Sequence, residues 1–125
     1  MKLSVVVILY GKAWSDSQSL LSLQKAINTT RDIIYDVLII ENTEVNVNLS
    51  VDIVNLKKAF SLHGCSFRFV NTYKNEKLSV IYNDFINSSN SDFYLFLDDD
   101  SNFSESYFDI FMESKFRYPE CLLFL

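Results

Sequence analysis

The chain has 125 residues, about half of them apolar (49%) and 22% charged, with a formal net charge of −5. That length suits one domain able to bury a substantial core, and the composition is that of an ordinary globular chain rather than a disordered or fibrous one. The acidic balance offers no basic face for a phosphate backbone, which argues against a nucleic-acid partner.

Residues 4–10 (SVVVILY) are β-branched and continuously apolar, the pattern of a central parallel strand, and Gly11 breaks the run. Ser15 or Asp16 can cap a helix reaching about Asn28, with Leu20, Leu21, Leu23, Ala26 and Ile27 as its apolar stripe. Residues 33–40 read as a second strand, closed by Glu41-Asn42-Thr43. The Asn-rich stretch 44–50 is a loop, and Ser50 or Asp52 starts a helix to about His63 with Ile53, Leu56, Ala59 and Phe60 inward. Gly64 is suited to its left-handed C-cap. A third strand follows over 65–70, then a polar loop over 71–77 and a helix over 78–88 with Leu78, Ile81, Tyr82, Phe85 and Ile86 on one face.

After a turn at 88–91 comes the most informative stretch, SDFYLFLDDDSNF over residues 91–103. Phe93, Leu95 and Leu97 alternate with Tyr94 and Phe96 in a strand that reads as buried on both faces. It runs straight into Asp98, Asp99 and Asp100. Three adjacent carboxylates repel one another and are costly to bury unpaired, but they are stabilised beside a divalent cation such as Mn²⁺ or Mg²⁺. The other reading is a solvated acidic turn that ends the strand. Ser104 then caps a helix to about Arg117, Pro119 stops it, and residues 121–125 begin a fifth strand.

Alternating strands and helices with short connections predict an α/β domain: three-layer, Rossmann-like, with a mainly parallel sheet, cut short after about the fifth strand. Right-handed crossovers then place Tyr10-Gly11, Glu41-Asn42, loop 71–77 and the three aspartates on one edge. Cys65 and Cys121 lie at no metal-finger spacing and read as buried thiols of a reducing compartment. Neither a signal peptide nor a transmembrane run is recognisable, so a cytoplasmic location is expected.

The runs VVVILY, LIIENT, NEKLSVIYN and YLFLDDDSNF, in that order, resemble the inverting family 2 glycosyltransferases, specifically their GT-A nucleotide-sugar-binding portion. By position, the resemblance implies that Tyr10 packs on the nucleotide base and that Glu41, with Asn42, hydrogen-bonds it. Asp98 and Asp100 resemble the outer members of a D-x-D motif, Asp100 and Asp98 holding Mn²⁺ or Mg²⁺, with Asp99 the variable middle. Asn75 and Asn83 match polar positions around the donor pocket. Lys77 stands where a Gly is common and, like Lys74, can add positive charge for a phosphate; Gly11 stands where Asn is common.

The implied function is metal-dependent binding of a UDP- or dTDP-linked sugar, as the donor half of an enzyme that transfers the sugar to a hydroxyl of a glycan or lipid-linked acceptor with inversion. Bacterial polysaccharide biosynthesis is the usual setting, at times peripheral to a membrane. The general base is expected in a second half beyond residue 125, because Glu105, Asp109, Glu113 and Glu120 do not fall at its place. Self-association through an exposed edge is expected of a chain lacking that half. Two other readings stand beside this one. A non-enzymatic fragment or interaction module would keep the fold without turnover. A Mg²⁺-dependent receiver-like phosphotransfer module would want an acid where Tyr10-Gly11 ends the first strand.

Overall fold

The computed structural model describes residues 1–29, 32–61 and 65–117. Four strands alternate with four α-helices: β1 Lys2–Leu9, α1 Gln18–Thr29, β2 Ile34–Glu41, α2 Ser50–Phe60, β3 Ser66–Asn71, α3 Leu78–Ser88, β4 Phe93–Leu97 and α4 Tyr107–Arg117. All three pairings are parallel, in the order β3-β2-β1-β4. The α/β, mainly parallel expectation is met by an all-parallel sheet among the described residues.

The strand sequences explain the order. Val5, Val6, Val7, Ile8 and Leu9 are all at most 1% exposed, so β1 needs partners on both edges and cover on both faces. It pairs with β2 through Val5↔Val37 and with β4 through Val5↔Leu95. Alternate residues feed two cores. Val5, Val7, Val37 and Ile39 pack with Leu20, Leu23, Leu56, Phe60 and Phe108 of α1, α2 and α4. Val6, Ile8, Leu38 and Ile40 pack with Ile81 and Phe85 of α3, and with Tyr94 and Phe96. The layers are therefore helix, sheet, helix, with α3 the single described helix on its side.

Several expectations shift in detail. A short 3₁₀ turn, Trp14–Asp16, occupies the positions of the predicted caps Ser15 and Asp16. The hydroxyl of Ser17 caps α1 instead, accepting from the Leu20 N–H at 3.3 Å. Ser104 accepts from the Ser106 N–H and shapes a turn, so α4 starts at Tyr107 rather than directly after it. At α2 the Asp52 carboxylate accepts from the Leu49 N–H at 2.9 Å, half of a capping box.

Strand β4 is only partly buried along its whole length, against the expectation of burial on both faces. It pairs with β1 alone among the described residues, so it has one free edge. The stripe on α3 is narrower than predicted, with Ile81 and Phe85 buried but Leu78 and Ile86 more than 40% exposed. A lone helix over a sheet buries only the residues pointing straight down. Cys65 is half-buried, and burial, with Asp36 nearby, pushes its thiol up to about 11. It stays protonated and unreactive near neutrality. The predicted helix end at His63-Gly64, Pro119 and the fifth strand with Cys121 lie outside the described residues.

Candidate functional site

The carboxyl ends of β1 and β4 part where chain order reverses: connections run outward from β1 to β2 and β3, then back across to β4. Open parallel sheets bind ligands at such a switch point. The triplet Asp98-Asp99-Asp100 follows β4 into this crevice, and its side chains divide in two directions.

Asp99 turns inward. Its carboxylate accepts from the Tyr10 N–H at 3.0 Å and from Lys12 Nζ at 3.4 Å, while its carbonyl accepts from the Ser17 hydroxyl at 2.8 Å. It thereby ties the end of β4 to the loop after β1 and to the cap of α1. The middle residue of the triplet is thus the one bound into the fold. Asp98 and Asp100, in contrast, are exposed. The Ser101 hydroxyl donates to Asp98, and that bond is the largest cause holding the Asp98 carboxyl below its ordinary range. The Asp98 and Asp100 carboxyl groups both face water.

Strand parity accounts for the split. Phe93, Leu95 and Leu97 face the α1 side, as does Asp99; Tyr94 and Phe96 face α3, and Asp98 continues their row. Tyr82 on α3 stacks on Phe96 with ring centroids 4.3 Å apart. Its phenol pKa is raised by burial and by the nearby Tyr10 and Asp98.

A cleft of about 440 Å³ is lined by Tyr10, Gly11, Asn42, Thr43, Glu44, Val45 and Asn75; none of the three aspartates lines it, and Tyr10 joins the two through its N–H to Asp99. Three predicted residues, Tyr10, Asn42 and Asn75, therefore share one wall. Tyr10 is 43% exposed. Burial, partly opposed by the neighbouring Asn42 side chain, raises the pKa of its phenol. Asn42 is buried and knits in loop 71–77: its oxygen accepts from Thr72 Oγ1 and the Glu76 N–H, and its amide donates to the Glu76 carbonyl at 3.0 Å.

Gly11 has φ of +63°, the left-handed region that Gly and, next best, Asn adopt readily. A Cβ there would meet only Thr43 Cγ2 at 3.9 Å, so the cost of a side chain is backbone strain and not crowding. Gly11→Ala is expected to lower unfolding free energy by roughly 1–2 kcal/mol and Gly11→Asn by less, read from urea midpoints. Equal loss in both would place the constraint elsewhere.

The other predicted residues fall outside the cleft wall. Glu41 is fully buried (0% exposed) beneath it, with both carboxylate oxygens occupied by the protein's own donors. Lys77 is exposed at the start of α3, and Asn83 is exposed on that helix. Lys74 pairs with Glu76 at 2.7 Å on the surface. Two contributors escape sequence reading. Lys12 reaches Asp99, and its one signal is a lone cation after the glycine that ends β1. Asn48, buried at 1% exposure, links Glu41 to the loop after β1, and only its place in an Asn-rich loop hints at this.

The fold and the acidic edge define an open, all-parallel, Rossmann-like α/β domain with its cleft at the carboxyl edge. No family model and no curated protein matches the sequence. Among solved structures, two crystal structures of S. aureus TarS match, each 17% identical and aligned over 95% of this chain. The TM-scores are 0.68 for TarS and 0.65 for TarS 1-349, of which the alignment covers 20% and 33% respectively. At that identity the likeness establishes the fold alone, an α/β domain with a parallel sheet shared with part of TarS. The chain spans a third or less of the length of these neighbours. No described helix is long and apolar enough to cross a membrane.

Proposed function

We propose that this chain binds the donor of a sugar-transfer reaction, a nucleoside-diphosphate sugar, with the help of Mn²⁺ or Mg²⁺ at Asp98 and Asp100. The observation that carries the reading is the split of the triplet: Asp99 fastened to Tyr10 and Lys12, while Asp98 and Asp100 are exposed to solvent at the switch point.

Among the described residues no group of three or more His, Cys, Asp and Glu side chains forms a ready metal cage. A pair of carboxylates fits a different kind of site, in which one or two acids share the cation with substrate phosphates and water. Adjacent like charges disfavour each other, and a divalent cation relieves that cost. When bound there it would supply Lewis-acid stabilisation of the charge that builds on a departing diphosphate. The chain's own residues do the rest. Asp99 fixes the direction of its neighbours, Tyr10 offers an aromatic face and a phenol donor at the mouth of the cleft, and Asn42 holds the loop carrying Asn75.

TarS, a glycosyltransferase, supports this reading through its fold. Inversion at the sugar and a glycan hydroxyl as acceptor belong to the same proposal. Titration of UDP into the protein with and without Mn²⁺, repeated with Asp100→Ala, tests it. Metal-dependent binding that the substitution removes is the expected result. Equal binding by both proteins, or none by either, would refute the site.

A further inference from the structure

One buried carboxylate ties the loop after β2 to the end of β3 and, through Asn48, to the loop after β1. Oε1 of Glu41 accepts from the Val47 N–H at 2.7 Å and from Asn71 Nδ2 at 2.9 Å; Oε2 accepts from the Asn48 N–H at 3.1 Å and Asn48 Nδ2 at 2.6 Å. The network extends outward from there. Asn48 Nδ2 also donates to the Lys12 carbonyl, and Asn48 Oδ1 accepts from the Trp14 N–H at 2.9 Å. On the other side, Asn71 Oδ1 accepts from the Tyr73 N–H at 2.6 Å, where the chain takes a φ of +55°.

We infer that Glu41 is a positioning residue, the shared anchor of the loops after β1, β2 and β3, which shapes the cleft from below and does not touch what enters it. A carboxylate with no exposed surface and four donors on two oxygens has no face left for a ligand. Its charge is met by amide dipoles alone among these partners, and a buried charge is tolerated only when so satisfied. The loops it gathers supply Gly11, Thr43, Glu44 and Val45 to the cleft wall, and Asn75 follows in the third. Loop anchoring by Glu41 holds whatever enters the cleft; its effect on nucleotide affinity rests on the donor-pocket reading.

Glu41→Gln keeps the volume but turns an NH₂ group toward two donors in either amide orientation. In the folded variant, amide exchange at Val47 and Asn48 is expected to quicken by about tenfold or more, with Val6 and Val37 in the sheet unchanged. Trp14 is the single tryptophan, so its quenching by acrylamide reports the loop after β1 and is expected to rise about twofold. UDP affinity in Mn²⁺ is expected to fall about tenfold.

Unchanged exchange with lost UDP affinity would mean that Glu41 meets the ligand itself and would overturn the inference, as would unchanged exchange with unchanged affinity. If UDP fails to bind the wild type, the donor reading falls, and the exchange and quenching data still decide the anchor. If Glu41→Gln does not fold, Asn48→Ala decides: it leaves Glu41 three of its four donors and should release Trp14 alone. Quenching equal to wild type in that variant would overturn the inference.

Discussion

Phe85→Ala is expected to destabilise the protein by about 3–5 kcal/mol, the range for removing a fully buried aromatic ring. Phe85 is 1% exposed and meets Tyr94 and Phe96 edge-on at 5.8 and 6.1 Å. It is one of two buried residues on α3, and no other described helix covers Val6, Ile8, Leu38 and Ile40. Domains of this size are stable by about 5–15 kcal/mol in total, so the loss takes a large share of the margin. Urea unfolding followed by far-UV circular dichroism measures it. Ile110→Ala, at a site 56% exposed, serves as the control and should cost under about 0.5 kcal/mol. A Phe85→Ala change below about 1 kcal/mol would mean that α3 is not what closes this face.

The second large effect separates the three aspartates by role. Asp98→Ala and Asp100→Ala should each weaken UDP binding in Mn²⁺ by on the order of 100-fold, equivalent to about 2.7 kcal/mol, and leave stability almost untouched. Both side chains are exposed, so their loss opens no cavity. Asp99→Ala should show the reverse balance. It removes the acceptor of the exposed Tyr10 N–H and breaks the Lys12 pair, for a stability loss of about 0.5–1.5 kcal/mol. The Lys12 pair adds little of this, because a partly exposed ion pair is screened. Nucleotide titrations paired with urea curves check the pattern, and equal effects at all three positions would contradict it.

Much of the fold was readable because its signals are local. Continuously apolar runs such as 5–9 and 37–40 have no polar face to give to water, which favours buried parallel strands between helices. The shared edge then follows from the handedness of the crossovers. The grouping of Tyr10, Asn42 and Asn75 at one edge was readable, and the hydrogen bonds around it were not. The residues that occupy Glu41 lie 6, 7 and 30 positions away, and two of the bonds come from backbone N–H groups, which leave no mark on side-chain identity. The Ser17 cap was hidden by two better-looking candidates, Ser15 and Asp16, which the 3₁₀ turn consumes. The inward turn of Asp99 was latent in the strand's two-residue period: it shares a side with Leu95 and Leu97, and Lys12 waits there only once β1 and β4 are known to be neighbours.

The most direct measurement is a crystal structure of the chain grown with UDP and Mn²⁺, with anomalous data collected at the manganese edge. The account predicts one anomalous peak between Asp98 and Asp100, shared with the diphosphate, while Asp99 still receives the Tyr10 N–H. A peak on Asp99, or a nucleotide bound away from the edge where β1 and β4 part, would contradict it.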